Sequence, residues 1–181
     1  MRNLEAKFRL DDLEQARERA IAIGYTQRSV LRQRDTFFRC ARGKLKLREE
    51  DRGAMLIHYG RRAANRLQLS TYEIVEIADP KNARAMLAAA LGVIAEVRKE
   101  RTLLMRAKVR LHLDHVEELG EFGEIEAVIA DGSDPERSRD AVDEILAALQ
   151  IHRESLIEVS YFELAALGRY TPKPQGGGQR S

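Results

Sequence analysis

In the first ten residues apolar side chains take one parity and polar or charged ones the other, and this alternation returns at strand length along the chain. Leu4, Ala6, Phe8 and Leu10 hold even positions, while Asn3, Glu5, Lys7 and Arg9 hold odd ones. A period of two sorts side chains to opposite faces of a β-strand, so the charge sits on a defined side. The pattern recurs in Lys44, Lys46, Arg48 and Glu50, in Lys99 and Arg101, in Lys108, Arg110 and Asp114, and in Glu124 and Glu126.

Period-two runs near 2–10, 30–39, 43–50, 54–62, 69–77, 94–106, 107–115 and 121–130 predict eight strands. Eight strands can close a barrel in which inward and outward side chains alternate. Three segments read as helices from the chemistry of their ends. Asp11 or Asp12 can cap the run Leu13 to Ile23, where Leu13, Ala16, Ala20 and Ile23 recur at helical spacing, and Gly24 fits a left-handed stop. Asp79 and Pro80 open a second helix that includes Met86, Leu87 and Leu91 and ends at Gly92. Asp134 and Pro135 repeat that start for a third, with Val142, Ile145, Leu146 and Leu149 on one side, and a short helix is expected at 161–167. The apolar strand faces are expected to pack outward against the helices, and the charged faces to point in. Such an inversion is costly unless the charges pair, bind a ligand or hold water. A lumen with many cations and several carboxylates suits a polyanion carrying metal ions, such as a nucleoside or inorganic triphosphate.

Composition narrows the alternatives. At 181 residues, 44% of them hydrophobic, the chain can bury the core of one domain. That domain is expected over 1–168. A flexible tail is expected over 169–181, where Pro172, Pro174 and three glycines cannot bury apolar area. Lys plus Arg total 31 against 29 for Asp plus Glu, a net charge of +2, which argues against a nucleic-acid coat. Cys40 is the single cysteine, the Met1 start has no apolar signal core, and no apolar run reaches the ~20 residues of a bilayer span. The expected setting is the cytoplasm, with neither nucleic acid nor membrane as partner.

Other chemistries fit poorly. No Gly-x-x-x-x-Gly-Lys loop occurs, and His58, His112, His115 and His152 lack zinc spacing. His112 shares a face with Asp114, which leaves proton carriage or phosphate donation open beside a structural role. Tyr59, Tyr72 and Tyr161 read as packing residues with hydrogen-bonded hydroxyls. Phe37 and Phe38 fall on opposite faces of their strand, so at most one faces a lumen. A lone Glu-x-Glu pair, or the run Lys44-Leu45-Lys46-Leu47-Arg48, is ordinarily a solvated strand face. Several such faces in one small chain, in series, shift the balance toward a site.

The series resembles the CYTH family of triphosphate tunnel enzymes. Asn3-Leu4-Glu5-Ala6-Lys7 stands where the family has Glu-x-Glu-x-Lys on its first strand. Closer to the class IV adenylate cyclase branch are Gln33-Arg34-Asp35-Thr36-Phe37-Phe38, Gly43-Lys44-Leu45-Lys46-Leu47-Arg48 and Leu56-Ile57-His58-Tyr59-Gly60-Arg61. The same holds for His112-Leu113-Asp114, leading through Leu119-Gly120-Glu121-Phe122 to Glu124-Ile125-Glu126, and for Ser160-Tyr161-Phe162-Glu163-Leu164. The likeness covers roughly residues 1–165 and its blocks come in family order.

The resemblance implies an α+β fold: an eight-stranded antiparallel β-barrel, a triphosphate tunnel open at both ends, with helices packed outside. It implies Lys7, Lys46, Arg48, Arg61, Lys99 and Arg101 as triphosphate ligands, and Glu5, Asp114, Glu124 and Glu126 as catalytic residues holding Mg²⁺ or Mn²⁺ or water. Lys44, Lys108 and Arg110 fall on polar faces and are secondary candidates. Asn3 departs from the family, offering a carbonyl oxygen without charge where a carboxylate is usual. The first expectation for function is conversion of ATP to cyclic AMP and pyrophosphate. The alternatives are a metal-dependent triphosphatase acting on inorganic, nucleoside or thiamine triphosphate, and a non-catalytic binder of triphosphate or another polyanion. The lack of tryptophan disfavours thiamine, whose ring cation would need an aromatic platform. Similar cyclases imply a homodimer.

Overall fold

A computed structural model describes residues 2–64, 67–129 and 135–167, with the backbone alone described at 2, 61–64, 68, 129, 135, 137, 166 and 167. The expected tail at 169–181 and the Asp134 cap lie outside the described residues.

The strands are β1 (Arg2–Arg9), β2 (Thr26–Phe38), β3 (Lys44–Glu50), β4 (Gly53–Ala64), β5 (Leu67–Ile77), β6 (Val93–Arg106), β7 (Val109–Val116) and β8 (Gly120–Ile129). All pairs are antiparallel, and the order β1-β5-β4-β3-β2-β6-β7-β8 closes on itself as a barrel, the expected architecture. Closure removes every free sheet edge. Helices α1 (Leu13–Ala22), α2 (Pro80–Leu91), α3 (Pro135–Ala148) and α4 (Tyr161–Leu167) lie outside the strand order. Among the described residues no helix is long and apolar enough to cross a membrane.

Local chemistry sets the helix ends. The Asp12 carboxylate accepts the Gln15 N–H at 3.0 Å, and that of Asp79 accepts the Asn82 N–H at 3.1 Å with Pro80 in the first turn. Gly24 and Gly92 follow their helices at positive φ, 91° and 76°.

The largest hydrophobic cluster lies outside the barrel wall, while a smaller one of Phe37, Ile57, Tyr59, Val97, Phe122 and Tyr161 sits inside it. Leu4, Ala6, Phe8 and Leu10 of β1 pack with Leu111 and Leu113 of β7, Ile125 and Ala127 of β8, Ala16 and Ala20 of α1, and Val142, Ile145, Leu146 and Leu149 near α3. A second outer cluster sets Phe38, Leu47 and Ala54 against Leu87 and Ala88 of α2. The even positions of β1 therefore face the helices and its odd positions face the lumen. Phe37 and Phe38 divide as expected, Phe37 lining the interior and Phe38 joining the α2 cluster.

β4 and β5 each extend about two residues further toward their shared connection than expected, and two other limits differ for a visible local reason. β2 starts four residues early because Thr26 and Gln27 pair with Met105 and Leu104, and an irregularity between Gln27 and Ser29 breaks the alternation there. β7 starts at Val109, since Ala107 takes a positive φ of 51° in a turn that holds Lys108.

Gly123 ties the wall to the site. In register it lies opposite Phe8, and a Cβ there would come 2.1 Å from Phe8 Cε2 and 2.4 Å from Cζ. The ring thus lies directly on the backbone of β8 beside Glu124. Gly123→Ala is expected to cost about 1–3 kcal/mol from overpacking, read from urea midpoints. In a Phe8→Leu background the cost should shrink, and equal costs in both backgrounds would count against this contact.

Candidate active site

The interior holds a cavity of about 310 Å³ whose lining includes Lys7, Lys46, Arg48, Lys99, Arg101, Glu124 and Glu126, all expected site residues. They come from β1, β3, β6 and β8, and they converge because every strand turns one of its two faces to the same cavity. Register sets neighbours across the wall. Glu5 faces Glu126 and Lys7 faces Glu124 between β1 and β8, Arg110 faces Glu126 and His112 faces Glu124 between β7 and β8, and Arg101 faces Asp114 between β6 and β7.

Asp35 of β2 gathers one group of cations. Its carboxylate accepts from Lys46 Nζ at 2.9 Å and from Arg48 Nε and Nη2 at 2.7 Å each, with Lys99 Nζ 3.9 Å away. Burial opposes its charge, yet Arg48 and Lys46 together hold the acid well below the usual carboxylate range. Burial, with Arg48 alongside, brings the Lys46 ammonium down to about 8. Lys99, fully enclosed and close to Arg101, is depressed in the same direction.

Asp114 gathers the other group. Arg101 donates to it through Nε and Nη2, both at 2.6 Å, and Tyr161 donates its hydroxyl at 2.8 Å. Burial opposes ionisation here too, but Arg101 and Lys99 keep the carboxylate charged. With both oxygens so occupied and no surface exposed, Asp114 faces inward without lining the open cavity. Arg101 also reaches Glu124 at 2.9 Å, and Lys7 meets the other Glu124 oxygen at 3.0 Å while lying 4.2 Å from the Tyr161 ring centre.

The remaining candidates divide. Glu5 is buried and accepts a hydrogen bond from the Tyr72 hydroxyl, whose own proton is held tightly by burial and by the Glu5 charge. Arg110 lines the cavity, 3.2 Å from Glu126. Lys44 turns to α4, bonding Glu163 at 2.6 Å and Ser160 at 3.3 Å. Lys108 is corrected: it is exposed in the β6–β7 turn, because the positive φ at Ala107 ends the strand pattern before it. The backbone of Arg61 pairs with Ser70, and its side chain lies outside the described residues. Asn3 lines the cavity, its Oδ1 buried without a hydrogen-bond partner.

A divalent cation would find oxygen and nitrogen donors at one place. His112, Glu124 and Glu126 each offer one ligand atom, and these atoms lie within 4.8 Å of one another. His112 Nδ1 is buried with no hydrogen bond.

Asp35, Tyr72 and Tyr161 were not singled out as site residues by sequence reasoning. Asp35 carried a signal in its polar position between Gln33 and Phe37 on one strand face, but its partners become visible only when β3 pairs in register.

Comparison with known proteins agrees with this architecture. The CYTH domain family model matches residues 1–161. A Methanocaldococcus jannaschii protein named as a candidate adenylate cyclase is 28% identical over 177 residues, 92% of this chain and all of the relative. A Pyrococcus horikoshii protein superposes with a TM-score of 0.80 at 21% identity, covering 90% of this chain and 98% of its own. A Hippeastrum protein, named as a candidate adenylyl cyclase with a dominant triphosphatase activity, gives 0.68 at 16% identity over 94% of this chain and 97% of its own. At those identities the two solved structures share the fold.

Asp35→Asn would leave Lys46, Arg48 and Lys99 facing one another without their common counterion. The expected loss is about 3–5 kcal/mol, measured by chemical denaturation. Millimolar inorganic triphosphate should restore part of it by supplying the missing negative charge. A variant as stable as the parent would remove Asp35 from its central place.

Proposed function

Since the family model spans residues 1–161, the chain belongs to the CYTH domain family, and from that premise we propose that its lumen binds ATP with a divalent cation and forms cyclic AMP and pyrophosphate. The observation that carries this reading is the mixed character of one cavity. Beside the ions, Leu31, Ile57, Ile74, Val97 and Leu103 line the same space, with Ile74 52% exposed. Inorganic triphosphate has no use for an apolar wall, whereas a ribose and a base can pack on one.

In the proposed reaction the ribose 3′-oxygen bonds to the α-phosphorus, the bond from that phosphorus to the bridging oxygen breaks, and the hydroxyl proton passes to water or to the pyrophosphate that leaves. Lys7, Lys46, Arg48, Lys99 and Arg101 bind the phosphate oxygens and neutralise charge that moves onto the leaving group. Asp35 and Asp114 position these cations: Asp35 fixes Lys46 and Arg48 from one side, and Asp114 fixes the Arg101 fork. We therefore assign Asp114 to orienting Arg101 rather than to holding metal. Glu124 and Glu126, unlike Asp114, line the cavity, with Glu5 beside Glu126 in register, and Glu124 would share its oxygens between a cation and the Lys7 and Arg101 that already meet them. When bound, Mg²⁺ or Mn²⁺ would make the 3′-hydroxyl more acidic and offset phosphate charge.

A second reading, hydrolysis of a triphosphate, is favoured by size. About 310 Å³ is near the lower end of ligand pockets and accommodates a triphosphate more readily than a whole nucleotide. Water would replace the 3′-hydroxyl and attack the terminal phosphorus. The similar Hippeastrum protein, described with triphosphatase activity, supports keeping this reading.

The deciding experiment incubates the purified chain with ATP and with inorganic triphosphate, each with Mg²⁺ or Mn²⁺, and separates the products. Cyclic AMP with pyrophosphate is expected. Release of orthophosphate instead would establish the second reading, and tight binding without product would leave a binder.

Lys46 generates a pH prediction. With its ammonium at about 8 in the ligand-free protein, a bound polyanion favours the protonated form and raises that value. Binding above about pH 8 should then take up a proton, and affinity should fall as pH rises through that range. Calorimetry in buffers of different ionisation enthalpy reads the uptake, which Lys46→Arg should reduce. Absence of uptake at pH 9 would show that Lys46 does not meet the anion.

A further inference from the structure

His112 is 6% exposed, stands on β7 directly opposite Glu124 on β8, and lines the cavity. Its Nδ1 is buried and makes no hydrogen bond. Leaving such a group unsatisfied forfeits the hydrogen bond it made to water, so a purely structural histidine would be expected to find a partner for it. Two carboxylate oxygens lie near without providing one: Glu126 Oε1 at 3.7 Å and Glu124 Oε2 at 4.0 Å.

Those distances are too long for hydrogen bonds but suit atoms sharing an ion. Ligand atoms ~2.1 Å from a common cation lie roughly 3.0–3.5 Å apart at octahedral or tetrahedral angles. The three ligand atoms lie within 4.8 Å of one another, so side-chain rotation that closes the widest pair by about an ångström would bring them to that spacing. The cluster is therefore more than paired acids, because a buried, unpartnered nitrogen is aimed into it.

We propose that His112 is a metal ligand through Nδ1, completing a His112–Glu124–Glu126 site that prefers Mn²⁺ and similar transition ions to Mg²⁺. The inference deepens the function proposed above and rests on that reading of the lumen as a metal-assisted site. Asn3 gives it a rationale. With a neutral amide at residue 3, the lumen has one carboxylate fewer to offer a hard cation, and the imidazole adds a donor without adding charge. Imidazole suits transition ions, while Mg²⁺ keeps to oxygen. A neutral ring with its proton on Nε2 leaves the Nδ1 lone pair for the metal.

The test needs no turnover, so its failure is separable from failure of the proposed reaction. Mn²⁺ is titrated into the full chain without nucleotide, and its affinity is read by electron paramagnetic resonance or calorimetry beside that of Mg²⁺. His112→Gln should weaken Mn²⁺ by about tenfold or more while changing Mg²⁺ by much less, and Glu126→Gln should weaken both. Spin-echo modulation of the Mn²⁺-loaded parent protein should contain a ¹⁴N coupling from a directly bound imidazole, absent in His112→Gln. This signature comes from the unmutated chain and stands even if a variant folds poorly. An Mn²⁺ complex without nitrogen coupling, or no Mn²⁺ binding in the millimolar range, overturns the proposal. Nitrogen-coupled Mn²⁺ in a protein that makes no cyclic AMP sustains the site and removes the reaction.

Discussion

Ionised groups enclosed by a barrel wall each cost several kcal/mol unless an opposite charge replaces the water they lose. The remainder of this structure is arranged around that requirement. Asp35 lies within 4 Å of three cations, and Asp114 meets Arg101 through two bonds with Tyr161 completing its shell. These carboxylates come from different strands than the cations they hold, so the network exists only when β3, β2, β6 and β7 pair in register. Folding energy comes from elsewhere: the apolar outer faces of β1, β7 and β8 buried under α1 and α3. Most of the apolar burial is thus outside the wall and the ion network is within, beside a smaller apolar cluster that includes Phe37, Ile57 and Val97.

That division explains which features were legible in the sequence. Alternation and helix caps are local signals, and they gave eight strands, the four helices and the inverted orientation of the faces. Gly24, Gly92, Asp12 and Asp79 act within one turn of their helices and could be read directly. The early start of β2 was hidden because the irregularity after Gln27 interrupts the period on which the reading relied. Lys108 looked equivalent to Arg110 by parity, but parity fails once a backbone turns at positive φ.

The site was legible as a set of residue types on one face, and less so as a network. Lys7, Lys46, Arg48, Lys99, Arg101, Glu124 and Glu126 were recognisable by parity and by family blocks, and all reach one cavity. Asp35 could not be separated from an ordinary strand aspartate until β2 and β3 were paired. Asp114 and Glu126 looked alike in sequence, yet one is sealed behind Arg101 and Tyr161 while the other lines the cavity. Sequence distinguishes a carboxylate from an amide, but only neighbours across strands distinguish a counterion from a ligand.

The balance of charge also bears on how substrate and metal would enter on the proposed reading. A triphosphate alone would meet Glu124 and Glu126 as like charges, and a cation alone would meet Lys7, Arg101 and Arg110, which stand beside those same acids. Each ligand entering first is opposed by half of the lumen. Entering together, they neutralise each other as well as the wall, so each should raise the affinity for the other by the same factor. The lumen's near-balance of signs is then the source of selectivity: an uncharged or singly charged molecule gains little from displacing the existing ion pairs, whereas a polyanion with its cation satisfies both sets at once. Asn3 shifts that balance slightly toward the anion, since one acid fewer opposes the phosphates, and it leaves the metal more dependent on the donors that remain.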